Sequence, residues 1–384
     1  MTTRVAFAVN FDERAWIGGR NYLATLFRAV RQVAGSDVQL VLATGTRAST
    51  TLQNELPFLE VIRTPLMDRW APAWVARKFR NLLDPDADAA FARLMRRSRI
   101  DVLSHSWGLA NSGVKTLGWL PDFQFMHLPE YWSPKGLRTV QRMYRAACRS
   151  CDALVVSSQE ARRDLEAFAP ECTVPKHVLH FVSAPVKFES IPERDVLCVK
   201  YRLPSAYLHL PNQFWAHKNH RLVIEALAVL KQEGETVVTV ACTGHTDDFR
   251  NPRAFQDLMA RCHSAGVAAN FRVLGLIPYE DMQGLMAHSR GVINPSRFEG
   301  WSTTVEEART LGKRLLLSDI PVHREQAPED AGYFGVDDAR ALAALMRDAA
   351  AREPAVQDAD ALAASYEQRL RRFGSEYMTL IGQL

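Results

Sequence analysis

The sequence predicts an α/β protein of two Rossmann-like domains, each a parallel sheet flanked by helices. Three observations predict it. Residues Gly291 to Leu317, GVINPSRFEGWSTTVEEARTLGKRLLL, read as a complete strand–loop–helix–strand unit, the repeat of a parallel sheet. The same alternation of short apolar runs and amphipathic segments recurs along the whole chain of 384 residues. A stretch from Pro185 to Asp195, bearing Pro185 and Pro192, separates two such sets, so residues 1–190 are expected to form a first domain and 196–361 a second.

Within the 291–317 unit, Val292-Ile293-Asn294 is the apolar run of a buried strand, and Pro295 to Ser302 is a loop punctuated by Pro295 and Gly300. Thr303 and Glu306 fit a capping box, which predicts the helix start there. Gly312 ends the helix and Leu315-Leu316-Leu317 is the next strand. In such sheets ligands sit beyond the carboxyl ends of the strands, and a helix N-terminus suits a phosphate. The acids of this unit need separate explanations. Glu306 has its capping role. Glu299 and Glu307 have none, and a carboxylate beside a diphosphate would be repelled, so both are expected to face neutral hydroxyls of a sugar or ribose. Taken alone, a single glutamate is more often a solvated surface acid.

Composition narrows the classes. With 47% hydrophobic and 23% charged residues the chain reads as an ordinary globular protein. No apolar run approaches the ~20 residues of a membrane span, and the first strand is too short and wrongly flanked for a signal peptide. The net charge, 47 − 43 = +4, is too mild to imply nucleic acid. Six cysteines are scattered; Cys148 and Cys151 form a CxxC without a second pair. They read as reduced thiols, which points to a cytoplasmic location. Two basic stretches carry aromatic residues or stand beside them. One holds Arg69, Trp70, Trp74, Arg77, Lys78, Phe79 and Arg80, and the other Lys135, Arg138, Arg142, Arg145 and Arg149. Such segments suit either an anionic membrane surface or a solvated helix face.

In chain order, Val5 to Val9 is a buried-type strand, followed by a loop to Gly19 and a helix from Asn21 to Val33. Gly18 and Gly19 lie where a first βα loop approaches a ligand, and without side chains their amides could come close to a phosphate. Further strands are expected at Val38–Ala43, Leu59–Arg63 and Ile100–Ser104, with an irregular, flap-like stretch over Pro65–Asp88. Asp122, Gln124 and His127 interrupt an apolar run, and buried polar groups need partners or a ligand. Ala153 to Val156 is a strand, Ser157-Ser158 cap a helix over Gln159–Phe168, and Val178 to Val182 is expected to close the first sheet.

The second set opens with strand Tyr207–Leu210, loop PNQFWAHKN and helix His220–Lys231. The loop places Lys218 just before a helix and beyond a strand's carboxyl end, where a lysine can neutralise a diphosphate. Strands follow at Thr236–Val240 and Phe271–Leu276, then helices over Asp338–Ala351 and from Asp358 to the end.

Glu299 and Glu307, with seven residues between them in FEGWSTTVEEA, resemble the E-x7-E motif of retaining glycosyltransferases of family 4, which have the GT-B fold. The resemblance spans the chain and is strongest from Tyr207 to Glu325. It implies two domains facing across a cleft, with the C-terminal helix, 362–384, crossing back to the first. It implies that Glu299 contacts the donor sugar and Glu307 the ribose. The backbones of Gly300, Trp301, Ser302 and Thr303 would meet the sugar and diphosphate, Ser296 would lie near the base, and Gly18 and Gly19 near the diphosphate and acceptor. Lys218 matches a family lysine on the diphosphate, but Gln213 stands where the family has an arginine. Asp122 matches a family aspartate, while Pro121 replaces its histidine, with His127 the candidate substitute.

The expected function is transfer of a hexose from a nucleotide diphosphate sugar to a hydroxyl of a lipid-linked or polysaccharide intermediate with retention of configuration, and the resemblance implies front-face attack. No cofactor and no metal are expected, since no paired-aspartate motif stands out. The location is expected to be cytoplasmic, at the inner face of the membrane. A GT-B sugar-nucleotide 2-epimerase and a non-catalytic nucleotide-sugar-binding paralogue remain as alternatives.

Overall fold

A computed structural model describes residues 2–9, 17–48, 51–83, 88–106, 109, 112–183, 190–236, 238–248, 250–326, 328–353 and 358–384. The chain divides into two compact units. One comprises Met1–Met126, Pro134–Ala184 and Glu367–Leu384, and the other His127–Ser133 and Pro185–Tyr366.

In the first unit the order is β1 (Thr3–Ala8), α1 (Ile17–Ala34), β2 (Val38–Thr44), α2 (Thr51–Glu55), β3 (Glu60–Arg63), α3 (Pro72–Leu83), α4 (Ala89–Arg97), β4 (Val102–Ser104) and β5 (Lys115–Leu120). Then follow α5 (Gln124–His127), α6 (Pro134–Ser150), β6 (Ala153–Val156), α7 (Gln159–Phe168) and β7 (Lys176–Val178). The seven strands form a parallel sheet in the order β3-β2-β1-β4-β5-β6-β7. Its central strands are apolar on both faces, as strands covered by helices on both sides must be. Val5, Ala6 and Phe7 of β1 and Leu154, Val155 and Val156 of β6 are all buried.

The second unit continues with α8 (Arg194–Tyr201), β8 (Tyr207–Leu210), α9 (His220–Gln232), β9 (Thr239–Thr243), α10 (Ala254–Ser264), β10 (Phe271–Gly275), α11 (Tyr279–His288) and β11 (Val292–Asn294). It ends with α12 (Thr303–Thr310), β12 (Leu315–Ser318), α13 (Pro321–Gln326), β13 (Ala331–Phe334), α14 (Ala339–Ala351) and α15 (Ala359–Gly382). Its six strands are parallel in the order β10-β9-β8-β11-β12-β13. Strand order reverses between β8 and β11, so the loops after these two strands flank the switch point where doubly wound sheets bind ligands.

Residues 367–384 of α15 belong to the first unit. There Tyr377 donates to Ser104 Oγ at 2.8 Å. Gly374 meets α1 so closely that a Cβ would lie 2.5 Å from the Ala29 carbonyl oxygen. No helix among the described residues is long and apolar enough to cross a membrane.

Several boundaries differ from the sequence reading. The stretch after Pro65 is not an irregular flap: a short 3-10 turn, Pro65–Met67, leads to helix α3. Its Pro72 occupies the first helical position, where a missing N–H costs nothing. Pro85 lies outside the described residues. Helix α1 starts at Ile17 rather than Asn21, so Gly18 and Gly19 lie in its first turn; most of the loop before it is outside the described residues. The last strand of the first sheet is Lys176–Val178, and Val178 to Val182 is not a strand beyond its first residue.

Candidate active site

The two loops at the switch point of the second sheet converge through side chains. After β8, the loop from Pro211 runs into a 3-10 turn, Ala216–Lys218, and Asn219 takes the left-handed conformation, φ 55°, before α9. The Asn219 amide donates to the Val336 carbonyl at 2.9 Å, fixing the turn that carries Lys218. After β11, Asn294 serves as a hub. Its Oδ1 accepts from Asn212 Nδ2 at 3.0 Å and from Ser296 Oγ at 2.7 Å, and its Nδ2 donates to Ser302 Oγ at 2.8 Å. These residues are buried, so each polar atom must find a partner, and the network ties the two loops together.

Across this network Lys218 Nζ lies 2.6 Å from Glu299 Oε1, with the side chains only 15% and 9% exposed. Burial alone would push the Glu299 carboxyl up. Lys218, His323 and a hydrogen bond from Ser296 outweigh it and hold the group below its ordinary value. Glu299 is therefore a carboxylate at neutral pH, beside an ammonium.

The helix after this loop is capped one residue earlier than the sequence suggests. Ser302, not Thr303, is the N-cap of α12, its hydroxyl accepting from the Val305 amide. Glu306 therefore does not close a capping box. It is buried, and its Oε1 accepts from Gln326 Nε2 at 3.1 Å. Gln326 also clasps Ser302, accepting from its amide at 3.2 Å and donating to its carbonyl at 3.0 Å. The Ser302 amide, expected to meet a ligand, is thus engaged within the protein. Glu307, one turn into α12, accepts from the Tyr279 hydroxyl at 2.9 Å. Burial raises its carboxyl to about 7, with that hydrogen bond pulling the other way.

Residues 206–364 match the family described as Glycosyl transferases group 1. The match lies within the second unit. Solved structures extend the likeness to the whole chain at the level of the fold. An Anabaena protein, HepE, in complex with UDP and glucose shares 14% identity and a TM-score of 0.66, with 100% of each chain covered. Sucrose-phosphate synthase from Thermosynechococcus elongatus shares 13% identity, a TM-score of 0.65 and 100% of each chain. WaaG, a glycosyltransferase involved in lipopolysaccharide biosynthesis, shares 17% identity and a TM-score of 0.57 over 97% of this chain and 95% of its own. No curated protein matches the chain by sequence. The fold is GT-B, with two parallel α/β units.

Within the second unit, Lys218, Ser296, Glu299 and Ser302 come together, and Glu307 follows on α12, which Ser302 caps. Gly300 and Trp301 are half-buried in the loop between, and Thr303 is exposed at the helix start. Gln213 is half-buried on the Lys218 loop. The loop is pressed by Gly244, φ 142°, where a Cβ would lie 2.5 Å from the Asn212 carbonyl oxygen. His127 belongs to the segment counted with this unit. Its ring lies 5.1 Å from that of Phe298, next to Glu299. Gly18, Gly19 and Asp122 belong to the first unit. There Asp122 Oδ1 accepts from the Gln124 amide at 3.0 Å, opening α5.

Sequence reasoning missed two histidines beside the ion pair. Burial, with Lys218 adding to it, holds His217 neutral, down to about 3, and also lowers His323. His217 Nδ1 and His323 Nε2 are buried without a protein partner. His217 adjoins Lys218, and that adjacency was a usable signal. Asn294, at the end of an apolar strand, was another: a buried amide there needs several partners.

Proposed function

We propose that the chain is a retaining, metal-independent hexosyltransferase of family 4. It would move a hexose from a nucleotide diphosphate sugar to a hydroxyl of a lipid-linked or polysaccharide intermediate at the cytoplasmic face of a membrane. The observation that carries this reading is the Lys218–Glu299 pair, 2.6 Å long, at the switch point of the second sheet, inside the stretch that matches the glycosyltransferase family. A cation and a carboxylate there match the two chemistries of such a donor, a diphosphate and neutral hydroxyls. That a similar fold holds UDP and glucose supports the donor class.

The division of labour follows from position. On donor binding, the Lys218 ammonium moves its interaction from Glu299 to the diphosphate, and Glu299 turns its free lone pairs to sugar hydroxyls. Glu307, oriented by Tyr279, takes the ribose. As the glycosidic bond breaks, charge grows on the leaving diphosphate and the sugar becomes oxocarbenium-like. Lys218 and the positive end of α12 stabilise the growing charge in place, without reorganisation. The leaving phosphate then accepts the acceptor's proton on the face where the acceptor attacks, which retains configuration.

A thermal-shift screen with UDP-, GDP- and dTDP-sugars tests the donor, because a ligand binding only the folded state raises the melting temperature. Release of the nucleoside diphosphate only with acceptor present, and unchanged by a chelator, is the expected result. Release without any acceptor would favour epimerisation or hydrolysis, and no shift with any sugar nucleotide would overturn the reading.

A further inference from the structure

Helix α3 is turned inside out. Pro72, Val75, Ala76 and Phe79 stand at i, i+3, i+4 and i+7, the spacing of a single apolar stripe, and all four are exposed. Phe79 is 68% and Val75 47% exposed, and Trp70, just before the helix, is 71% exposed. On the other side, half-buried Trp74 and Arg77 face the protein. Arg77 donates to Asp88 Oδ2 at 2.6 Å and to the Leu66 carbonyl at 3.0 Å, and its guanidinium covers the Phe91 ring. A helix with its polar contacts inward and its apolar stripe outward lacks the partner for which that stripe is built.

The charges around the stripe say what the partner is. Exposed Arg69 lies over the Trp70 ring at 5.3 Å, and exposed Lys78 over the Trp74 ring at 5.8 Å. The two indoles lie 5.6 Å apart. Asp68 is the sole acid between Pro65 and Leu83. It is tied down by Thr46 and the Arg47 amide. Trp70 also holds a left-handed backbone, φ 71°, a strained conformation for a bulky residue that tends to persist at functional positions. Tryptophan with flanking cations beside an apolar stripe is the composition of a segment lying at the headgroup level of an anionic bilayer.

The second basic stretch does not have this form. On α6, Tyr144, Ala147 and Cys148 are buried, and Arg145 is spent on Glu171 and the Phe168 ring. Of the large apolar side chains of α6 only Met143 is exposed, while Leu137 and Val140 are half-buried.

We propose that the Trp70–Phe79 face of α3 docks on an anionic phospholipid bilayer, with Val75 and Phe79 entering the acyl boundary and Arg69 and Lys78 pairing with lipid phosphates. This deepens the reading of a lipid-linked acceptor and rests on it for its purpose, though not for its test. The full chain is floated with vesicles of phosphatidylcholine alone and of phosphatidylcholine mixed with phosphatidylglycerol. Binding is expected with the mixed vesicles and is expected to fall with added salt. Phe79→Glu and Lys78→Glu should each lower it by at least about tenfold, with the melting temperature unchanged because both residues are exposed. Wild-type protein that ignores the anionic vesicles, or variants that float equally well, would overturn the proposal. So would a concentration-dependent dimer dissolved by Phe79→Glu, which would make the partner a second copy. The thermal shift on donor binding, measured without vesicles, separates failure here from failure of the glycosyltransferase reading.

Discussion

Lys218 and Glu299 are 81 positions apart in sequence and 2.6 Å apart in space. Each stands on the loop after one of the two strands that flank the switch point, so the fold alone brings them together. In the free protein they neutralise one another, and neither group is left as an isolated buried charge. Under the proposed reading, a sugar nucleotide would replace both halves of the pair, its diphosphate meeting the Lys218 ammonium and its sugar hydroxyls the Glu299 carboxylate.

Breaking this pair on one side should separate stability from catalysis. Lys218→Ala leaves Glu299 buried without its cation, which typically costs roughly 3–5 kcal/mol. Turnover should also fall by about tens- to thousands-fold. Adding Glu299→Gln removes the orphaned charge, so the double variant should regain much of the melting temperature while remaining inactive. Urea titrations and steady-state rates on the three variants check this. Recovery of activity along with stability would mean that the pair only holds the loops together.

Glu307 predicts a pH dependence in two observables. Its carboxyl is raised from 4.5 to about 7, so the folded state holds that proton more tightly than the unfolded state. The folded state gains full benefit below about pH 4.5, and the benefit is lost as pH rises through about 7. Glu307→Gln should therefore stabilise the protein more at pH 8 than at pH 4. The ionised form is also the better acceptor for ribose hydroxyls, so the donor KM of the wild type should fall as pH rises through 7. That slope should vanish in Glu307→Gln, with kcat little changed. A donor KM independent of pH in the wild type would remove Glu307 from the ribose.

Much of this was legible in the sequence, and the failures have physical causes. Strands β6, β8 and β11 match their apolar runs end to end because each is a short buried run closed by Ser, Pro or Asn. Helix α3 was hidden because Pro72 reads as a breaker, yet at a first helical position it is neutral. The α12 cap was displaced by one because Ser302 and Thr303 are both good caps, and Gln326, which clasps Ser302, lies 24 positions on. Lys218 and Glu299 were each found, but local pattern carries no information about a contact over 81 positions.

Gly244 tests how tightly the Lys218 loop must be held. A Cβ there would lie 2.5 Å from the Asn212 carbonyl oxygen and 2.9 Å from Gln213 Cα, both backbone atoms that cannot move aside cheaply. Its φ of 142° is also costly for any side chain. Gly244→Ala should lower the melting temperature and raise the donor KM together, because the displaced loop carries Lys218. A melting temperature that falls with an unchanged donor KM would show that the loop adjusts independently of the strand end behind it.

Glu306 departs from the sequence reading, which gave it only a capping role. It is buried and accepts from Gln326, which in turn holds both backbone groups of Ser302. Ser302 caps α12 and accepts from Asn294. Glu306 thus supports the loop that carries Glu299 from behind. Glu306→Ala should leave the Gln326 amide with one partner fewer and cost about 1–3 kcal/mol, and Gln326→Ala should cost a similar amount. If both act through the clasp on Ser302, the double variant should be less destabilised than the sum of the two, and kcat should fall in all three in proportion. Strict additivity, or full activity in the destabilised variants, would show that Glu306 fills the core without positioning the loop.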